Sequence, residues 1–149
     1  MKLKLYLDTS VFSAYYDSKI RVRLDETREF WKKLKEYEKY ISTLVIDELN
    51  IVENKKLREN LKGLAKGFTI LEITDECDKL ADKYIGQGIF PKKYKSDALH
   101  LAVATVYGVD IFVSWNFKHL IKRKTRLEAN LVNSLNGYRT LELISPPEL

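Results

Sequence analysis

A chain of 149 residues, 45% hydrophobic and 32% charged, is long enough to bury the core of one domain and too apolar for a disordered one. Its single Cys77 excludes an internal disulfide framework and fits a reducing compartment, while a formal net charge of +5 mildly favours a polyanionic partner. No apolar run approaches the roughly 18 residues of a membrane span, and Lys4 and Asp8 interrupt what would be the apolar region of a signal peptide, so the expectation is a cytoplasmic protein with no membrane partner.

Leu3, Leu5 and Leu7 alternate with Lys4 and Tyr6, the period of a strand. Asp8 falls at its carboxyl end, and Thr9 or Ser10 is placed to cap a helix carrying Val11, Phe12, Tyr15 and Tyr16. Phe30, Trp31, Leu34 and Tyr37 predict a helix over Asp25–Lys39. Tyr40–Ser42 is the second strand, and Thr43 would cap a helix through Leu44, Val45, Ile46 and Leu49. Glu48 lies on that helix; Asp47 points about 100° away from it.

Leu57, Leu61 and Leu64 mark a helix closed by Gly63 or Gly67, before a strand over Phe68–Ile73. Thr74 starts a helix whose stripe is Cys77, Leu80, Ala81, Tyr84 and Ile85, which places Cys77 in the core rather than at a reactive site. Ser96 to Ala104 is apolar on nearly all sides after its first turn, so it reads as a buried helix capped by Ser96 and stopped by Gly108. Ile111–Ser114 is a fourth strand, buried on both faces. Thr125 and Glu128 fit a capping box ahead of Leu127, Leu131 and Leu135, and Thr140–Ile144 is the fifth strand. Strands separated by helices predict a mainly parallel sheet covered on both faces. The fold class is thus a single three-layer α/β/α sandwich over residues 1–149.

Asp8, Glu48, Asp97 and Asn116 all occupy places that face the carboxyl edge of such a sheet, where ligands bind in open α/β folds. Asp97 stands out, because its helix is otherwise apolar. An acid there is either a partner for the helix N-terminus or a functional group, just as Asp8 is either a helix cap or a site residue. Carboxylates gathered at one edge repel one another, and a hard divalent cation such as Mg²⁺ relieves that repulsion.

Leu7-Asp8-Thr9-Ser10, Ile46-Asp47-Glu48-Leu49, Ser96-Asp97-Ala98-Leu99-His100-Leu101-Ala102 and Ser114-Trp115-Asn116-Phe117 together resemble a PIN-domain ribonuclease, the group that includes the VapC-type toxins. The resemblance covers nearly the whole chain, and extends through Asn136-Gly137-Tyr138 to Pro146. It implies a five-stranded parallel sheet and Mg²⁺- or Mn²⁺-dependent cleavage of single-stranded or structured RNA. Asp8, Glu48 and Asp97 match the family's acids as catalytic groups and metal ligands, and an antitoxin protein and a homodimer become expected partners. Asn116 is the departure, since the family often carries a fourth acid near there; His119 stands where some toxins have a further one. Thr9 and Ser114 are hydroxyls for the acids or plain turn residues.

Lys92, Lys93 and Lys95 precede Asp97, and Lys118, Lys122, Arg123, Lys124 and Arg126 follow Asn116. Of these, Lys95, Lys118, Lys122, Arg123 and Lys124 are the expected contacts to an RNA backbone, against a plain solvated surface as the alternative. His100, one turn beyond Asp97, is expected as a hydrogen-bonded packing histidine, with contact to the site as the alternative. A phosphatase of the haloacid dehalogenase type needs a second Asp where Ser10 stands, and a response-regulator receiver needs paired acids in the same region. The remaining alternative is a PIN-like module that binds RNA or protein and has lost catalysis.

Overall fold

The computed structural model describes residues 1–149 throughout. In chain order the elements are β1 (Lys4–Leu7), α1 (Thr9–Tyr16), α2 (Arg21–Lys33), β2 (Glu38–Ser42), α3 (Thr43–Asn50), α4 (Lys55–Leu64), β3 (Thr69–Leu71), α5 (Asp75–Gly86), α6 (Lys95–Val106), β4 (Ile111–Val113), α7 (Arg123–Leu135) and β5 (Glu142–Ile144). The five strands form one sheet in the order β3-β2-β1-β4-β5, and every pairing is parallel. The chain winds outward from β1 through β2 to β3, then returns to lay β4 on the other side of β1. The carboxyl ends of β1 and β4 therefore lie side by side at the point where the winding reverses, the usual ligand crevice of open α/β sheets.

The alternation in β1 holds, but both of its faces are dry: Leu5, Tyr6 and Leu7 are fully buried. Tyr6 stacks on Phe112 of β4 at 5.5 Å and turns its hydroxyl toward α6, which covers that face with α5 and α7. On the other face α1 packs with α2, α3 and α4, and Phe12 sits within 5.3–5.4 Å of Trp31 and Phe68. This is the three-layer arrangement expected, with the five strands expected.

Several local expectations give way to the structure. The predicted helix over Asp25–Lys39 begins earlier, at Arg21, and ends at Lys33 in a single tight turn, so Tyr37 leads into β2. Asp8 itself caps α1, accepting from the Ser10 N–H at 3.1 Å, because it is Asp8 whose backbone is still extended where the strand ends. Ser42, not Thr43, occupies the cap position of α3, and its hydroxyl goes to Tyr6 instead. α6 starts at Lys95, so Ser96 lies inside the first turn. Gly108, at φ +71°, ends that helix as expected, in the left-handed conformation that glycine tolerates best. β3 is three residues long, shorter than Phe68–Ile73.

The largest correction lies in α7. No capping box forms at Thr125 and Glu128, since the helix starts at Arg123 and the Thr125 hydroxyl donates to the His119 carbonyl at 2.8 Å. Leu127, Leu131 and Leu135 turn outward, and Ala129, Val132 and Asn133 face the core. Asn133 explains why: its side chain bonds Tyr84 and Thr105 in the interior, and that contact fixes the rotation of the helix.

Candidate active site

Each acid reaches the carboxyl edge for a separate local reason. Asp8 follows β1 directly, and its backbone N–H still pairs with the Val113 carbonyl of β4 at 3.2 Å. Glu48 stands more than one turn into α3, which starts where β2 stops; Asp47 beside it is exposed. Asp97 comes from the first turn of α6. Asn116 sits on the loop after β4, whose neighbour Trp115 is buried and donates its indole N–H to the Thr27 hydroxyl at 2.8 Å.

Hydrogen bonds join Asp8, Asn116 and Asp97, and tie Glu48 to the sequence neighbours of two of them. The Ser114 hydroxyl donates to Asp8 Oδ2 at 2.6 Å and accepts the Asn116 N–H at 2.9 Å, and Asn116 Nδ2 donates to Asp97 Oδ2 at 3.2 Å. On the far side, Thr9 donates to Glu48 Oε1 at 2.9 Å and Ser96 to Glu48 Oε2 at 3.5 Å. Thr9 is the neighbour of Asp8, and Ser96 the neighbour of Asp97. Thr9 and Ser114 thus hold acids, beyond any part they play in a turn.

Further contacts support the acids. Ser10 supports Asp8 Oδ1 through both its N–H and its hydroxyl, and the same hydroxyl accepts the Trp115 N–H at 2.9 Å. Buried His100 places Nε2 2.6 Å from Glu48 Oε1 and Nδ1 2.7 Å from the Tyr6 hydroxyl, which is in turn 2.7 Å from Ser42 Oγ. His100 is a packing histidine, as expected, and also the support of Glu48. The only signal for this was its place one turn after Asp97.

The electrostatics follow from this burial. Burial pushes the Asp8 carboxyl above its ordinary value, and the Asp97 charge adds to the rise; electrostatic attraction to His100 and the bonds from Ser10 and Ser114 oppose it. Burial likewise raises Asp97, with Glu48 adding, against electrostatic attraction to His100 and the bond from Asn116. Glu48 also feels burial, but the bond and charge of His100 and the hydroxyls of Thr9 and Ser96 bring it below its usual range. Two of the three acids are therefore under repulsion, Asp8 from Asp97 and Asp97 from Glu48.

The donors are all oxygens, the chemistry that Mg²⁺ and Mn²⁺ take. As arranged, however, no three His, Cys, Asp or Glu side chains form a set that would hold an ion. Glu48 is turned to His100, and Asn116 spends its amide on Asp97 and its carbonyl on the His119 N–H at 3.0 Å. The set suits a hard cation in charge and in donor type. It is not a closed chelate.

The basic residues divide. Lys95 pairs with Asp82 at 3.4 Å and Asp78 at 4.0 Å on α5, Lys124 lies 4.0 Å from Glu128, and Arg126 pairs with Glu148. Lys118, Lys122 and Arg123 are exposed on the segment after Asn116 and enter no salt bridge.

The comparisons agree with this architecture. Among solved structures, the chain is similar to VapBC2 from Rickettsia felis bound to a DNA fragment from the promoter (TM-score 0.58, 14% identity, 95% of this chain and 97% of that one). It is similar to Mycobacterium tuberculosis VapC20, a sarcin-ricin loop cleaving toxin (TM-score 0.60, 12% identity, 92% and 98%). It is also similar to DNA-bound VapBC from Salmonella typhimurium (TM-score 0.54, 15% identity, 97% and 98%). No curated protein matches it in sequence. At these identities the structures speak for the fold, while the sequence model described as PIN domain matches residues 5–120, a span that holds Asp8, Glu48, Asp97 and Asn116 alike; the chain belongs to the PIN domain family.

Proposed function

We propose that this protein is a metal-dependent endoribonuclease that hydrolyses RNA phosphodiester bonds, and that it is the toxin of a toxin–antitoxin pair. What supports the reading is that Asp8, Glu48 and Asp97 come from three separate places to the carboxyl edge of a PIN-domain sheet, with Asp8 and Asp97 raised by burial and by the charge of a neighbouring acid. Asp8, Glu48 and Asp97 would hold Mg²⁺ or Mn²⁺. Such an ion supplies Lewis acidity and positive charge to a phosphodiester under attack by water. The chain's own residues prepare the place: Ser10 and Ser114 orient Asp8, His100 and Thr9 orient Glu48, and Asn116 positions Asp97. That VapBC complexes and a toxin are among its structural neighbours supports an antitoxin partner for this chain.

The second reading, a PIN module that binds RNA or protein without cutting it, draws on Asn116, whose amide occupies Asp97 in place of a fourth acid. One assay separates the two. Mixed RNA substrates are incubated with wild type and with Asp8→Asn, which keeps a capping side chain, in chelator, Mg²⁺ and Mn²⁺. Cleavage by wild type alone, and only with a divalent ion, is expected. No cleavage in any condition, with RNA still bound, would leave the binding module as the function.

A further inference from the structure

Beyond the acids, the rim of the site carries two aromatic rings that the fold does not use as core. Phe117 follows Asn116 and is 47% exposed. The loop does not need it as an anchor, since Trp115, Leu120 and Ile121 are buried and the Leu120 and Ile121 N–H groups both bond the Asn116 carbonyl. Tyr94 lies three residues before Asp97 and is only partly buried, with its ring centroid 4.0 Å from that of His119, tilted by 34°. His119 is buried, and its N–H bonds Asn116, so the Tyr94–His119 pair is tied to the same loop that positions Asp97.

Cations surround this pair. Lys93 Nζ is 5.2 Å from the Tyr94 ring centroid. Burial, with the charges of Lys118, Lys122 and Lys93, keeps His119 below its ordinary pKa, so the ring behind Tyr94 is neutral and adds no further positive charge. Lys93, Lys118 and Lys122 are exposed and enter no salt bridge, unlike Lys95 and Lys124. Aromatic faces among unpaired lysines, beside an acidic centre, are the two components of a single-strand nucleic-acid site: every base has a face to stack, and every nucleotide has a phosphate to neutralise.

We propose that Tyr94 and Phe117, with Lys93, Lys118 and Lys122, form a subsite that takes unpaired nucleotides of single-stranded RNA next to the Asp8–Glu48–Asp97 centre. This rests on the nuclease reading for the position of the scissile phosphate, but binding itself does not. The rings select against duplex, because paired bases already stack on one another and present no free face. The lysines supply affinity that is blind to sequence and sensitive to salt.

The test is binding in chelator, where cutting is absent, of a fluorescent ten-nucleotide RNA and of the same strand annealed to its complement, across a salt series. Phe117→Ala is expected to weaken single-strand binding roughly tenfold, the scale of one lost base–aromatic stack. The slope of affinity against salt should stay unchanged, and so should duplex binding. Tyr94→Ala should do the same, while Phe117→Tyr and Tyr94→Phe should stay near wild type. Lys118→Ala with Lys122→Ala should lower the slope by about 0.7 per lost phosphate contact. If Phe117→Ala, folded by circular dichroism, binds the single strand as wild type does, or loses single strand and duplex equally, the subsite is wrong. A failure of the nuclease reading would look different: stacking-dependent binding intact, with no metal-dependent cleavage from any variant.

Discussion

Helix α6 runs between two polar networks of opposite character, the first partly and the second fully buried. Near its start, Asp97 and His100 join Asp8, Glu48, Asn116, Tyr6 and Ser42. Near its end, Thr105 joins Tyr84 and Asn133, with the Tyr84 hydroxyl donating to Asn133 Oδ1 and the Thr105 hydroxyl donating to the Leu101 carbonyl. The second network is neutral, and its donors find acceptors inside the fold. It locks α5, α6 and α7 together and leaves nothing to bind. The first network holds three carboxylates, two of them pushed up by burial, Asp8 also by Asp97 and Asp97 also by Glu48. A polar cluster of neutral groups satisfies itself; one that gathers carboxylates keeps charge that a proton or a cation can relieve.

Asp97→Asn separates the two roles most strongly. It should cut metal-dependent cleavage by orders of magnitude while stabilising the protein in chelator. The sign follows from the raised carboxyls. Asp8 and Asp97 bind protons more tightly when folded, so the stability they contribute is present at acid pH and is lost as pH rises through their raised values. Glu48, lowered, runs the other way and loses its contribution as pH falls. Removing the Asp97 charge also relieves Asp8. The variant's advantage in chelator should therefore be present at neutral pH and close below about pH 4, where carboxyls protonate in folded and unfolded chains alike. Unfolding midpoints across pH would check it.

The other network predicts the reverse. Asn133→Ala strips a partner from the Tyr84 hydroxyl and opens a small cavity, and should cost about 2–3 kcal/mol. For a chain of this length that is a fall in Tm of roughly 4–12 °C. Cleavage per folded molecule, and the response of Tm to Mg²⁺, should not change.

Asn116→Asp tests the boundary of the charged network. It places a carboxylate where Nδ2 now lies 3.2 Å from Asp97 Oδ2, exchanging a hydrogen bond for a repulsion. The apo protein should lose about 1–2 kcal/mol, and the gain in Tm with Mg²⁺ should exceed that of wild type, because a fourth oxygen acid is available. Equal gains would place Asn116 outside the metal's reach.

The smallest effect belongs to the basic segment. Replacing Lys122, Arg123 and Lys124 by Ala should lower the salt slope of RNA binding by about 1.4 rather than 2.1, because Lys124 already faces Glu128 while the other two are free. A drop of the full size, or none, would redraw which residues meet the backbone.

The layers, the five strands and the placing of Asp8, Glu48, Asp97 and Asn116 after strands or in the helices that follow them were legible because each rests on one kind of local signal: an apolar run, or a polar residue where a strand or an apolar helix makes it costly. What the sequence hid depends on partners far along the chain. Tyr6 alternates as if it faced water, yet its hydroxyl is satisfied by His100, 94 residues later. Asn133 looks like a surface residue between leucines, and only Tyr84 and Thr105 reveal that it faces inward and turns Leu127, Leu131 and Leu135 out. Lys95, an expected substrate contact, pairs with Asp78 and Asp82 of α5, partners that its own neighbourhood in the sequence does not announce. The caps slipped by one residue wherever two capping side chains stood together, as at Asp8-Thr9-Ser10.

The central claim is that the charged network is a cation site, and a Mn²⁺ titration followed by thermal unfolding tests it without reference to RNA. Wild type in chelator should gain Tm progressively with Mn²⁺, as a ligand that binds only the folded state requires. Asp97→Asn should start higher and gain much less, so the two curves converge or cross. Parallel curves, or no gain by wild type at excess Mn²⁺, would mean that the three acids do not bind the ion and that the centre proposed here is not one.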